Sequence, residues 1–279
     1  MHARSALFDL YGDHLRIRGD RAPVAALVRL MAPLGIAAPA VRTAVSRMVR
    51  QGWLEPVLLP GGRGYELSER ARHRVDDAAA RIYRTRDARW DGGWDLLVID
   101  QPGPRSARER LRGGLAYLGY APLSDSTWIS AFTSVEVEDL LSAEQARWAR
   151  FRALDEHAAG RAREAWDLES LAASYLAWRR FAVRLLDDPD SELVGISRAG
   201  EDERAFAVRS VLVHEWRTFL FTDPGLPGEL LPADWAGDEA AAFFAREADR
   251  LLPAASAFVD ECLASPDAAI PERTGASRE

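Results

Sequence analysis

Apolar residues recur along this chain at two kinds of spacing, and the order in which they alternate predicts an architecture. Residues 3–12 repeat apolar positions at helical spacing and stop at Gly12. A second helical stretch covers 23–33, with Val24, Leu27, Val28 and Met31 inward, and a third covers 39–51. Pro39 suits a helix start because its missing N–H costs nothing there, and Gly52 tolerates the positive φ of a helix end. Two short apolar runs follow, 53–59 and 65–67, joined by the tip Pro60-Gly61-Gly62-Arg63-Gly64. Helix, turn, helix and β-ribbon in that order predict a winged helix-turn-helix. Residues 69–89 then read as an arginine-rich linker helix, with Val75, Ala79, Ile82 and Tyr83 at helical spacing.

The pattern changes at Trp90-Asp91-Gly92-Gly93-Trp94. Runs of strand type at 96–99, 127–130 and 148–154 alternate with helical stretches at 105–119 and 135–145. This β-α-β-α-β order predicts a small ferredoxin-like module. From residue 162 the spacing is helical: Leu168, Leu171, Tyr175, Trp178, Phe181 and Leu185 form one stripe, broken at Asp187-Asp188-Pro189-Asp190. Further helices are expected at 204–221 and 238–263, and the polar tail from Pro266 is expected to be disordered. There is no internal repeat. The fold class expected is α+β in three parts: a winged helix-turn-helix with its linker helix (1–88), a ferredoxin-like α/β middle domain (89–160) and a helical C-terminal domain (161–265), before the tail (266–279).

Charge sharpens this division. The chain has 279 residues and a net charge of −7, which argues against a nucleic-acid partner if spread evenly. Residues 1–90 hold 16 Arg against 9 acidic residues, whereas 91–279 hold 20 Arg against 34. A basic head on an acidic body fits a DNA-reading segment attached to something that stays off DNA. All 36 basic residues are arginine, in both halves alike, which reads as coding bias. Cys262 is the only cysteine, so an intramolecular disulfide and a thiolate metal cluster are excluded. The five histidines lack metal-ligand spacing, and His214-Glu215 has no second His four positions on. No apolar stretch reaches membrane-spanning length and the N-terminus shows no apolar signal segment. A cytoplasmic protein without cofactor or metal is expected.

The candidate chemistry lies on the third helix. At about 100° per residue, Val41, Ala44, Val45 and Met48 share one face, and Arg42, Thr43, Ser46, Arg47 and Arg50 share the opposite arc. Arginines and small hydroxyls reach guanine edges and phosphates in a major groove. A solvated surface helix can also be cationic, but this arc has three Arg and no acid, and Arg63 follows on the tip. Arg70, Arg72, Arg74, Arg81, Arg84, Arg86 and Arg89 of the linker helix either touch phosphates or only solvate it.

The chain resembles the PaaX family of phenylacetic-acid-degradation repressors over nearly its full length. The resemblance is carried by Gly35-Ile36, Val41-Arg42-Thr43-Ala44-Val45-Ser46-Arg47 and Gly52-Trp53-Leu54. It continues in Trp90-Asp91-Gly92, Trp94, Trp166-Asp167-Leu168, Arg209 and Leu212-Val213-His214-Glu215-Trp216-Arg217, then in Asp223-Pro224, Leu226-Pro227, Leu230-Leu231-Pro232 and Trp235. Thr218 departs from the pattern, where the family often has a second basic residue, and the tip is poorer in basic residues than in many relatives.

The resemblance implies a homodimeric transcriptional repressor that binds a double-stranded operator and is released by an aryl-CoA thioester, phenylacetyl-CoA or a related compound. A CoA thioester needs cations for its phosphates and an apolar slot for its acyl group. Arg209, His214 and Arg217, with the aromatics Trp166, Tyr175, Trp178 and Trp216, are the candidates; packing and ion pairing between C-terminal helices is the other reading of the same residues. A different class stays open as well. Ferredoxin-like modules with an aspartate ending the first strand occur in CRISPR-associated metal-dependent nucleases, and Asp100 has that place; alternatively it caps the turn before Pro102.

Overall fold

In the computed structural model, which describes residues 1–59, 62–82, 90–100, 104–193 and 196–264, the first segment forms α1 (Ala3–Leu10), β1 (Arg21–Pro23), α2 (Val24–Met31), α3 (Ala38–Arg50), β2 (Leu54–Leu59), β3 (Gly62–Leu67) and α4 (Glu69–Ile82). The apolar face expected of α3 is the buried one, with Val41 and Met48 fully enclosed and Ala44 and Val45 nearly so. Gly52 adopts φ +70°, which lets the Trp53 N–H donate back to the Met48 carbonyl at 2.9 Å and close the helix. The three strands form an antiparallel sheet in the order β1-β3-β2. Pro23 of β1 lies opposite Gly64 of β3, and a Cβ at Gly64 would stand 2.8 Å from the Ala22 carbonyl oxygen, so the close approach of β1 requires glycine.

The middle segment forms β4 (Gly93–Asp100), α5 (Arg105–Tyr117), β5 (Ala121–Pro122), β6 (Thr127–Ser130), α6 (Glu136–Ala143) and β7 (Arg147–Leu154). Its strands make a second antiparallel sheet, ordered β5-β6-β4-β7. Leu97, Ile99 and Trp128 on one face pack with Leu111 and Leu115 of α5 and Val137 and Leu141 of α6. Asp95 is buried on that face, where Arg150 donates to both its oxygens, at 2.8 and 2.7 Å, and the Tyr120 hydroxyl donates as well.

The last segment is helical: α7 (Ala158–Ala165), α8 (Leu168–Asp187), α9 (Glu201–Trp216), α10 (Phe219–Thr222) and α11 (Ala236–Ala264). α8 stops before Asp188-Pro189, as expected. The stretch expected as one helix over 204–221 starts earlier and divides into α9 and α10. Three acids in the first turn, Glu201, Asp202 and Glu203, suit the positive end of α9. The expected disordered tail from 266, linker residues Arg84, Arg86 and Arg89, and Pro60-Gly61 of the tip lie outside the described residues. The class is mixed α and β, with two antiparallel sheets.

Compactness divides the chain into two units. One is Met1–Arg81 with Phe181–Trp216 and the chain from Phe244; the other is Ile82–Arg180 with Arg217–Phe243. In the first, the core around Leu7, Tyr11, Leu27, Met31, Val45 and Met48 is completed from far along the chain by Phe206, Ala255, Val259 and Cys262. Each fully buried leucine, valine, methionine or phenylalanine among them contributes about 1.5–3 kcal/mol. In the second, Tyr175 of α8 stacks on Phe219 of α10 at 4.0 Å between ring centroids, and its hydroxyl donates to Asp223.

Polar contacts of unusual depth join α1 to α9. After Leu10 the backbone makes a π-helical turn, Tyr11–Leu15, which carries Asp13 and His14. Arg209 of α9 is 3% exposed and donates to both Asp13 oxygens, at 2.8 and 2.7 Å, and to the Ala248 carbonyl. One turn on, His214 donates from Nδ1 to Asp9 Oδ2 at 2.6 Å. His14 is 1% exposed, and burial lowers its pKa to about 4; Asp13, 3.2 Å from its Nε2, does not offset this, since Arg209 already neutralises that carboxylate. Two consequences are measurable. Arg209→Ala strands a buried carboxylate and is expected to cost about 3–5 kcal/mol in chemical denaturation. The unfolded His14 takes up its proton as pH falls through about 6.5 and the folded one only near 4. Stability is therefore full above about pH 6.5 and falls towards pH 4 by on the order of 3 kcal/mol. Comparison with His14→Gln, which lacks this part of the acid slope, isolates the effect.

Candidate nucleic-acid interface

The residues expected to face a groove are exposed together on one side of α3: Arg42, Thr43, Ser46, Arg47 and Arg50. The helix has no acid in its first turn. Among the described residues, none of Arg42, Arg47, Arg50 and Arg63 is held in an ion pair. These guanidinium groups keep the five donors that base edges and phosphates accept. The Thr43 hydroxyl donates to the Pro39 carbonyl at 2.8 Å, which fixes its rotamer and leaves its oxygen able to accept.

The β2–β3 hairpin follows α3 directly. Leu54 and Leu67 at its base are buried, and their register runs outward through Pro56 opposite Tyr65 to Leu58 opposite Arg63. A further bond fixes the hairpin to the first segment, the Tyr11 hydroxyl donating to the Tyr65 carbonyl at 2.9 Å. Arg63 is exposed beside the outer end of the hairpin.

The structure sorts the linker-helix arginines that it describes. Arg72 lies 3.4 Å from Asp20 and 3.8 Å from Glu66 and serves the sheet. Arg70 and Arg74 are exposed and lie over the Trp53 ring, 5.1 and 5.8 Å from its centroid, while Trp53 sits edge-on to Phe8. That stacking holds two cations close to the residue that ends α3.

The residues expected for an effector fall in both units. Arg209, His214 and Trp216 belong to the first, where Arg209 and His214 hold α1 and Trp216 stacks on Phe244 at 4.7 Å. Trp166, Tyr175 and Arg217 belong to the second, where Trp166 stacks on Trp94 at 5.8 Å; Trp178 is buried beside Phe243. A cavity of about 490 Å³ on α5, lined by Arg105, Arg108, Arg112, Asp125 and Trp128, contains none of them. Asp100, the candidate metal ligand, accepts from Arg147 at the exposed end of β4, with Nε at 3.1 Å, so its carboxylate is engaged by a cation.

Sequence reasoning missed Asp9, Asp13 and His14, whose only local signal is the placing of acids on the buried side of an apolar helix. It also missed Leu58, which reads as one more apolar residue of a strand.

Three family models cover most of the chain: "PaaX-like protein" matches residues 2–71, "PaaX protein central Cas2-like domain" 87–163 and "PaaX-like protein C-terminal domain" 166–261. A curated relative, the "Transcriptional repressor PaaX" of Escherichia coli (strain K12), is 32% identical over 269 residues, 92% of this chain and 83% of that protein. A solved structure, "Uncharacterized protein Rv0674 from Mycobacterium tuberculosis", is similar with a TM-score of 0.60 at 28% identity, covering 92% of this chain and 98% of the other. No helix among the described residues is long and apolar enough to cross a membrane. On the match to the repressor over 92% of this chain and the three family models in succession along it, the chain belongs to the PaaX family.

Proposed function

We propose that this protein is a DNA-binding transcriptional repressor, not an enzyme, acting in the cytoplasm as a homodimer on a double-stranded operator. The observation that carries the reading is the exposed arc of α3, where three arginines and two hydroxyls stand on a helix that contains no acid, followed by a hairpin that bears the exposed Arg63. In this reading residues 1–88 are a winged helix-turn-helix: α3 lies in the major groove, with Arg42, Thr43, Ser46, Arg47 and Arg50 on base edges and phosphates, and Arg63 on the wing contacts the flanking backbone or minor groove. Residues 89–160 are the ferredoxin-like middle domain and 161–265 the part that senses the effector and dimerises. The curated relative's name as a transcriptional repressor supports the direction of regulation.

The proposed effector is an aryl-CoA thioester of a phenylacetate-type catabolic pathway, whose binding releases the operator. Arg209, His214 and Arg217 are the proposed partners of its anionic groups and Trp166, Tyr175 and Trp216 of its aromatic part. Support comes from the position of Arg209 and His214: they hold the two carboxylates of the segment that precedes α2 and α3, so a ligand competing for either alters the support of the reading head.

Two measurements test these assignments. In gel-shift titrations on the protein's own upstream region, Arg47→Ala is expected to weaken specific binding by roughly 1–3 kcal/mol. Arg63→Ala should weaken binding more evenly across sequences of the α3 contact than Arg47→Ala does and flatten its salt dependence; wild-type affinity in both variants removes the DNA interface. The same complex titrated with a panel of acyl-CoAs should dissociate with an aryl-CoA, and Arg217→Ala should require more of it. An unchanged response removes Arg217 from the effector site.

A further inference from the structure

One apolar residue of the hairpin is placed where burial within the chain does not account for it. Leu58 is 86% exposed. Its neighbour Leu59 folds over Gly64, where an added Cβ would meet Leu59 Cδ1, and Val57 is partly buried. The two-residue period places Leu58 on the same face of the hairpin as Leu54 and Leu67. Those two belong to the core that also holds Val41, Val45 and Met48 of α3. The face that packs against the body at its base therefore carries Leu58 outward past the core, and Arg63 is its direct cross-strand partner. An isobutyl group and a guanidinium thus stand side by side at the outer end of the hairpin, both exposed.

We propose that Leu58 and Arg63 together enter the minor groove beside the α3 contact and make the protein select an A·T-rich flank. This rests on the DNA-binding reading above and adds to it a residue with no charge to offer a phosphate. The minor groove of A·T-rich DNA is narrow and strongly negative, which draws in an arginine. Its walls are sugar carbons and its floor lacks the guanine amino group, so a leucine beside that arginine meets apolar surface. A·T flanks accept both groups, whereas a G·C flank widens the groove and places an amino group against the leucine. Arg63 supplies attraction and Leu58 supplies discrimination.

The test uses the full-length protein and a duplex enriched by it from a random-sequence library, with the flank beside the α3 contact rebuilt as A·T, G·C or I·C pairs. An I·C pair has the minor-groove surface of A·T and the major-groove surface of G·C. Wild-type protein is expected to bind A·T and I·C flanks alike and the G·C flank less tightly. Leu58→Ala is expected to lose roughly five- to twentyfold in affinity on the A·T flank and most of the difference between flanks. Because Leu58 is exposed, the variant should melt with the wild type, which separates this loss from misfolding. If Leu58→Ala keeps wild-type affinity and flank preference while Arg47→Ala loses binding, the inference about Leu58 fails and the DNA-binding reading stands. If the I·C flank behaves like G·C, minor-groove selection fails. If the wild-type protein enriches no duplex, both readings fail.

Discussion

Taking Asp9 and Asp13 out of water on the first helical segment obliges the fold to supply partners for two carboxylates, and both come from α9, almost two hundred residues later. Arg209 meets Asp13 with two parallel bonds and His214 meets Asp9 with one. A buried charge tolerates neither distance nor poor angles, so this pairing fixes the axial position of α9 against α1. It also explains why α9 shows no clean apolar stripe. Its residues are buried around most of the circumference, and Arg209 and Ser210 are among them.

What could be read from the chain follows from how local each determinant is. The faces of α3 were legible because the helix period gathers Val41, Val45 and Met48 on one face and Arg42, Ser46 and Arg47 on the other, and the core accepts only the first set. The helix end at Gly52 and the break before Pro189 were legible because backbone constraints act within a few residues. β1 and β5 were not, being three and two residues long and created by partners elsewhere, Glu66 to Gly64 for β1 and Ile129 with Trp128 for β5. Asp9, Asp13 and His14 were illegible for the same reason: a buried acid looks like any acid until its cation arrives from another part of the chain. Arg209 and His214 were singled out, but whether they face a ligand or a carboxylate depends on that remote pairing. The division of 204–221 into α9 and α10 was also hidden, since helical spacing continues through the break.

The N-terminal segment around α3 itself depends on aromatic and ionic supports that take its charges into account. Arg72 is committed to Asp20 and Glu66, Arg18 to Asp260 at 2.6 Å and Arg29 to Glu261 at 3.1 Å, whereas α3 keeps its cations for the outside. The basic surplus of residues 1–90 is thus partly internal bookkeeping between segments, and the surface potential is set by the arginines that remain exposed. Exposed ion pairs of this kind are individually worth little; their value lies in directing which arginines are left over.

The core of the first unit has a consequence for how the molecule comes into being. Its N-terminal helices are sealed by Phe206, Ala255, Val259 and Cys262, so a nascent chain that has just emerged with α1, α2 and α3 still presents an open apolar surface. The contacts that close it are among the longest in sequence separation. A ribosome must deliver residue 262 before the first thirty are fully enclosed. The proposed competence to bind DNA is therefore acquired only once residue 262 has emerged, and a polypeptide stopped before it carries its arginines on an unfinished scaffold.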